Sequence, residues 1–307
     1  MGSLHARVVS ESDRAKIAFI SDPDIERATR LADRHGGAPL AEPDFEGCDA
    51  VIVASPTESH AEWGQIVLDL GIPMLLEKPM ALRYRDAKGL VEKARANDVP
   101  LTCGLVERFN PAIKKAIEIA DSPLQLIALR HSPYVPRIKT GVAADLAIHD
   151  VDIAMRVFGG PPDTVRGSTA FVHPESAGGA EDVASIVMTF AGGGIASLST
   201  SRITHRKRRE IIICELDRSI EIDLIRQDIT IYRHVENETL DESEMGLIGY
   251  RQQTIMDVPV VENRREPLAA QLDHFCALVD GTADRDRELD EILAPHLVLD
   301  QLLNGEG

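Results

Sequence analysis

Two short stretches of this 307-residue chain carry the residue types that acid–base chemistry needs. The first is Glu77-Lys78-Pro79, directly after the apolar run from Ile72 to Leu76. A lysine at the end of a buried strand stands at the carboxyl edge of its sheet, where open α/β sheets bind ligands. The second is Asp145-Leu146-Ala147-Ile148-His149, which opens an amphipathic pattern. A spacing of four puts Asp145 and His149 on one helical face. An ammonium can hold a hydroxyl oxygen and an imidazole can take its proton, and an alcohol needs both before it surrenders a hydride. The expected chemistry is therefore alcohol oxidation on a dinucleotide-binding fold, with Lys78, Asp145 and His149 as the catalytic group.

Other roles for these residues need weighing. A lone histidine on a helix usually anchors it through ordinary hydrogen bonds. With Asp145 one turn earlier and Lys78 supplied from elsewhere in the chain, proton transfer is the favoured reading. Asp145, His149, Asp150 and Asp152 could also be hard metal ligands. Asp150 and Asp152 cannot share a helical face with His149, so no metal site is expected.

The elements that must position these groups follow from hydrophobic periodicity. In the first third, short apolar runs at 16–21, 50–54, 73–76 and 99–103 read as strands, and helical patterns fill 24–35, 58–70, 83–97 and 111–120. Thr57 is the expected cap of the second helix. This alternation marks βαβ units and a parallel sheet. Beyond Asp121 a helix over 145–158 interrupts segments of period 2, which implies a mainly antiparallel sheet. Strands at 183–190 and 195–200 flank Gly192-Gly193-Gly194, with Ala184, Ile186, Met188 and Phe190 on one face and Ser197, Ser199 and Thr200 assigned to the other. Strands at 210–214 and 219–224 follow, 234–258 has no clear pattern, and helices over 268–279 and 289–303 close the chain. The expected architecture is a Rossmann-like α/β domain over 1–120 and an α+β domain with an open sheet over 121–307.

Composition limits the partners. The chain has 33 basic against 50 acidic residues, a net charge of −17, which opposes binding to nucleic acid or anionic lipid. Cysteines at 48, 103, 214 and 276 are too scattered for a zinc site or a disulfide framework, and they suit a reducing cytoplasm. No apolar run approaches the roughly 20 residues of a membrane helix, and no leader-like segment is evident. A soluble, cytoplasmic protein with a small-molecule partner is expected.

Two further segments bear on a cofactor. Asp22, after the strand at 16–21, could accept hydrogen bonds from an adenosine ribose and so favour NAD over NADP; it could equally serve the next helix as a cap. Ser55-Pro56-Thr57, with His60 on the following helix, offers a bend and small polar groups at another strand end, and it could also be a plain strand-to-helix turn.

The order and spacing of Ser55-Pro56-Thr57-Glu58-Ser59-His60, Glu77-Lys78-Pro79, Asp145 to His149 with Asp152, and Glu266-Pro267 resemble the Gfo/Idh/MocA oxidoreductases over nearly the whole chain. The resemblance implies a nicotinamide-dependent enzyme acting on sugars or cyclitols, with its catalytic lysine at Lys78 and its paired aspartate and histidine at Asp145 and His149. It also implies an open sheet used for oligomerisation, hence a homodimer or homotetramer. Val106 to Pro111, Ser132 to Arg137 and the spelling of 145–150 are similar to the branch of UDP-N-acetylglucosamine 3-dehydrogenases and related nucleotide-sugar dehydrogenases. That likeness implies substrate contacts from Arg108, Asn110, Tyr134, Arg137 and His149, with the guanidinium forks meeting a diphosphate. The alternative for Arg108 is pairing with a neighbouring carboxylate.

The chain departs from the family at its start. Met1-Gly2-Ser3-Leu4-His5-Ala6 resembles the last glycine of the phosphate-binding turn and the helix after it, so Gly2, Ser3 and Leu4 are expected at the cofactor together with Asp22, Ser55, Pro56, Thr57, His60, Glu77 and Lys78. The strand and two glycines that precede this point in the family are missing, which would leave a gap in mid-sheet and part of the pyrophosphate cradle absent. A start lying further upstream and a damaged cofactor site are the two explanations.

The run His205-Arg206-Lys207-Arg208-Arg209 is unusual in an acidic chain. It reads as a solvated hairpin tip, or as a patch that draws in an anionic nucleotide sugar through Arg206 and Arg208. Two other functions stay open: an inositol or free-monosaccharide dehydrogenase, and a non-catalytic sugar or dinucleotide sensor on the same fold.

Overall fold

The computed structural model describes residues 1–136, 138–176, 178–240, 248–261 and 265–305; Arg137, expected at a diphosphate, lies outside them. The first part of the chain runs α1 (Gly2–Ser10), β1 (Phe19–Ser21), α2 (Ile25–His35), β2 (Ala38–Leu40), β3 (Val51–Val53), α3 (Thr57–Asp69), β4 (Met74–Leu76), α4 (Tyr84–Ala96) and β5 (Leu101–Cys103). A 3-10 turn (Val106–Phe109) then leads into α5 (Pro111–Ile119). Every strand pair here is parallel. β4 lies between β3 and β5, and Met74, Leu75 and Leu76 are wholly buried, as a central strand covered on both faces requires. Thr57 does not cap α3: Pro56 holds the cap position without a side-chain bond, and Thr57 is the first helical residue.

The described parallel strands form two pieces, β1-β2 and β3-β4-β5, with a break between β1 and β3. Helix α1 covers this break. Its Val8 and Val9 cluster with Leu268 and Leu272, and Ile17, just before β1, and Ile52 of β3 pack against the same cluster.

The second part contains β6 (Gln125–His131), a π-helical turn (Ala143–Ala147) running into α6 (Ile148–Phe158), β7 (Thr164–Ala170), β8 (Val183–Thr189), β9 (Ile195–Ser201), β10 (Arg208–Cys214), β11 (Ser219–Asp223), β12 (Asp228–Leu240) and β13 (Ile248–Asp257). These eight strands form one sheet in the order β13-β12-β11-β10-β6-β9-β8-β7, antiparallel except where β6 pairs with β9. Period 2 gives the sheet an inner face of Leu126, Ala128, Ile186, Met188, Leu198, Ile211 and Ile213, all buried, against which α6 packs. Thr200 belongs to this inner face and not with Ser197 and Ser199, because it is in step with Ala196 and Leu198; it is fully buried. Of the stretch 234–258, without clear pattern in the sequence, residues 234–240 and 248–257 belong to β12 and β13, which pair at one sheet edge.

Two closing helices, α7 (Pro267–Val279) and α8 (Arg285–Asn304), return to the first part of the chain. Gln271 Nε2 donates to the Cys103 carbonyl at 3.0 Å, and Thr102 Oγ1 donates to Glu288 Oε1 at 2.5 Å. His296 Nε2 accepts the Met80 N–H at 3.0 Å while its Nδ1 donates to the Ile292 carbonyl at 2.8 Å, so the neutral ring satisfies both nitrogens. None of the described helices is long and apolar enough to cross a membrane.

Candidate active site

Lys78 follows β4 at the carboxyl edge, and its ammonium reaches into the second part of the chain. Nζ donates to the Asp145 carbonyl at 2.6 Å and to Asp145 Oδ1 at 2.7 Å. The Lys78–Pro79 peptide is cis. Buried contacts on every side fix the loop that holds it. Glu77 is 4% exposed; its Oε1 meets His5 Nε2 at 2.8 Å and its Oε2 accepts the Lys78 N–H at 3.2 Å. Gly104 has to be glycine here, because an added Cβ would stand 2.6 Å from Glu77 Oε2. His60 joins two loops, with Nδ1 2.7 Å from the Pro79 carbonyl and Nε2 2.9 Å from the Ser55 carbonyl. Its ring is therefore occupied in holding the turn after β3 to the turn after β4.

Asp145 sits in the π-helical turn, and that turn is built against Glu181. The carboxylate of Glu181 accepts the Ala143 N–H at 2.7 Å, and its carbonyl accepts the Val142 N–H at 3.0 Å. Gly141 leaves room for this carboxylate, which any side chain there would displace. The second carboxylate oxygen of Asp145 faces Arg202, a 3% exposed side chain that also donates to the Thr140 carbonyl at 2.7 Å. Sequence reasoning missed Arg202 and Glu181, since neither lies in a motif; the available signal was that Arg202, just past β9, continues the step of two through Leu198 and Thr200.

His149, one turn after Asp145, is 7% exposed, and its Nδ1 is enclosed without a hydrogen-bond partner among the described residues. Burial, followed by the charges of Lys78, Arg130 and Arg209, holds its pKa well below the usual histidine value. The ring is therefore neutral at physiological pH and able to accept a proton. The Asp145 carboxylate is committed to Lys78 and Arg202 and not to the His149 ring. The acids beyond His149 are also committed. Asp150 binds Arg130 through both oxygens at 2.7 to 3.0 Å, and Asp152 binds Arg108. Among the described residues no cluster of three or more histidine, cysteine or acidic side chains could hold a metal.

Two expected substrate contacts are not brought to the site. The Arg108 side chain is 3% exposed, with Nε 3.1 Å and Nη2 2.6 Å from the two oxygens of Asp152 and Nη1 3.5 Å from Glu288. Its Nη2 also donates to the Glu291 carbonyl at 3.3 Å, an acceptor that Pro295, four residues on and lacking an N–H, leaves free in α8. Burial opposes the charge of Arg108, but Asp152 and Glu288 outweigh it and raise the pKa. The neighbouring-carboxylate reading is the one the structure supports. Asn110 is 2% exposed and structural: Oδ1 caps α5 at the Ala112 N–H, and Nδ2 donates to the Leu224 carbonyl. Tyr134 is half-buried, stacked on His173 at 3.5 Å, with its hydroxyl donating to the Glu175 carbonyl.

The expected cofactor residues lie along the carboxyl ends of the parallel strands. Asp22 follows β1, where Oδ1 accepts the Asp24 N–H at 2.9 Å and Asp24 caps α2. Ser55, Pro56 and Thr57 follow β3, and the Ser55 hydroxyl accepts from Ser59 at 2.8 Å. Gly2, Ser3 and Leu4 form the exposed first turn of α1, which begins without a side-chain cap; a Cβ on Gly2 would lie 3.9 Å from that of Ala54. Uncapped N–H groups at a helix start beside a strand's carboxyl end suit an anionic pyrophosphate. The acid at Asp22 suits a ribose. These residues fit a dinucleotide.

Comparison with known proteins agrees with this arrangement. The family model for the GFO/IDH/MocA oxidoreductases with an NAD-binding Rossmann fold matches residues 1–105, and that for the GFO/IDH/MocA C-terminal domain matches 129–223. UDP-N-acetylglucosamine 3-dehydrogenase of Acidithiobacillus ferrooxidans is 28% identical over 93% of this chain and 90% of its own length. Its solved structure superposes with a TM-score of 0.82 at 24% identity, covering 99% of this chain and 94% of that one. Inositol 2-dehydrogenase of Rhizobium meliloti is 28% identical over 66% of each chain. An Agrobacterium radiobacter oxidoreductase solved with NAD+, L-tartaric acid and magnesium covers 99% of this chain and 92% of its own, with a TM-score of 0.82 at 18% identity. With both family domains matched in order, the chain is a member of the GFO/IDH/MocA family of NAD-binding oxidoreductases.

Proposed function

We propose that this oxidoreductase moves a hydride between NAD and a secondary hydroxyl of a sugar carried on a nucleotide, such as UDP-N-acetylglucosamine. The observation that carries the reading is the 2.7 Å pair of Lys78 Nζ with Asp145 Oδ1, which joins the two parts of the chain beside a neutral buried histidine. Lys78 holds and polarises the reacting oxygen. His149 takes the hydroxyl proton in oxidation and returns it in reduction, and the enclosed Nδ1 leaves Nε2 as the nitrogen for that exchange. Asp145 fixes the ammonium in place and balances its charge. A bound nicotinamide supplies the acceptor for the hydride leaving the carbinol carbon.

The nucleotide-sugar substrate is supported by the relative that spans 93% of the chain. NAD over NADP is supported by Asp22 at the end of β1. The inositol relative favours a second reading, a dehydrogenase of free cyclitols or monosaccharides. A non-catalytic sensor is disfavoured by the intact Lys78, Asp145 and His149. Four free cysteines support a reducing compartment, the net charge of −17 argues against nucleic acid, and the outer sheet face around Ile127, Leu129 and Val187 is the surface we assign to self-association.

The test is NADH formation with UDP-N-acetylglucosamine, myo-inositol and free N-acetylglucosamine as substrates. Turnover of the nucleotide sugar with inhibition by UDP supports the proposal. Turnover of myo-inositol alone replaces it with the second reading.

A further inference from the structure

The basic run of the sequence divides between the two faces of β10. Arg208 pairs with Glu210 on the same strand face, Nε to Oε1 at 3.0 Å and Nη2 to Oε2 at 2.5 Å. Arg206 is exposed. Arg209 is in step with buried Ile211 and Ile213, so it takes the inner face, the one that carries the catalytic helix.

On that face Arg209 lies opposite Arg130 in the β6 ladder. Both guanidiniums use one carboxylate oxygen, Glu107 Oε1, at 2.9 Å from Arg130 and 3.2 Å from Arg209. Arg130 is 2% exposed and also holds Asp150, the neighbour of His149. Lys207 makes no ion pair among the described residues and stands close enough to Arg209, Arg130 and Glu107 to feel their charges. Three cations therefore face two carboxylates beside the catalytic histidine. The Arg209 side chain is 34% exposed, open to a ligand where Arg130 is not.

We propose that Arg209 and Lys207 form the binding site for a phosphate or diphosphate carried by the substrate, an inference that rests on the nucleotide-sugar reading above. A dianion would restore the charge balance and take the guanidinium donors that Glu107 leaves free. The crowding of like charges has a measurable sign in the free protein: the Arg209 charge pushes the Lys207 ammonium below the ordinary lysine value.

The test is calorimetric titration of the full chain with UDP at saturating NAD, alongside KM and kcat for UDP-N-acetylglucosamine. Arg209→Gln should weaken UDP and raise KM by about tenfold or more, with a smaller change in kcat, and the loss should shrink as salt rises. Arg209→Lys should restore part of it. Lys207→Gln, at an exposed position, should show the same trend even if Arg209→Gln folds poorly. Arg206→Gln, outside the site, should bind UDP as the parent does. UDP bound equally well by the parent, Arg209→Gln and Lys207→Gln overturns the site and leaves the nucleotide-sugar reading standing. A parent protein that turns over myo-inositol but neither binds UDP nor uses the nucleotide sugar overturns both.

Discussion

Asp145 divides its carboxylate between two cations, with Oδ1 2.7 Å from Lys78 Nζ and Oδ2 3.6 Å from Arg202 Nη2. Removing its charge leaves an ammonium and a guanidinium facing each other across a neutral amide. Asp145→Asn should therefore displace Lys78 from the reacting oxygen and lower kcat by about a hundredfold. Lys78→Ala should cost at least as much. Steady-state NADH formation measures both, and near-normal turnover in either variant removes the assignment.

His149 titrates below the ordinary histidine range, first because it is buried and then because of the cations around it. The proton-accepting form is therefore retained as pH falls through 6.5, the ordinary value. The acid limb of kcat/KM for oxidation should lie below that pH, and it should be absent from the residual activity of His149→Asn. An acid limb at the ordinary value would show that another group takes the proton.

The His296 pKa is pushed down from the ordinary 6.5 to about 4, chiefly by burial. Because its folded pKa is depressed, protonation favours the unfolded chain. Stability should be complete above about pH 6.5 and should fall as pH drops towards 4, by on the order of 3 kcal/mol from this group. Urea unfolding at several pH values tests it. His296→Gln should flatten this part of the stability profile, and an unchanged profile would assign the loss elsewhere.

Gly141→Ala should drive the Glu181 carboxylate from the start of the π-helical turn and leave the Ala143 N–H buried without its acceptor. A loss of about 1–3 kcal/mol is expected. Turnover measured well below the melting temperature should fall with it, because the same turn carries Asp145. A stable, fully active variant would mean that Glu181 is not what shapes the turn.

Arg108→Met should destabilise by about 3–5 kcal/mol, since it removes the buried guanidinium shared by Asp152 and Glu288 and leaves them only Arg156 at 3.5 Å and His274 at 3.0 Å. Glu288 is held at about 2, where burial alone would raise it but His274, Arg108 and Thr102 prevail. Recovery of the melting temperature in the double variant Arg108→Met/Asp152→Leu, with unchanged affinity for UDP, would confirm a structural role. Weakened UDP binding in that stable variant would reinstate Arg108 as a ligand contact.

The parts of this protein that were legible in its sequence are those set by local rules. A buried strand ending in Lys78, a spacing of four from Asp145 to His149, and the period-2 run of Ala184, Ile186 and Met188 each report their own geometry. Pairing across distance was not legible. Nothing near Arg108 or Asn110 shows that Asp152, Glu288 and the Leu224 carbonyl will meet them, so both looked available to a ligand. Edge strands were missed for a related reason: β7 is largely exposed and needs no apolar alternation. The basic run was seen as one patch because only the ladder separates Arg208 from Arg209.

The bond from the Met80 N–H to His296 spans 216 residues. It gives the lysine loop a partner that the ribosome supplies only after all the described strands have been made. Early-made βαβ units can collapse as they emerge, yet the loop holding Lys78 has to wait for α8 before it is clasped. Synthesis order thus sets this clasp after every described strand of both parts of the chain.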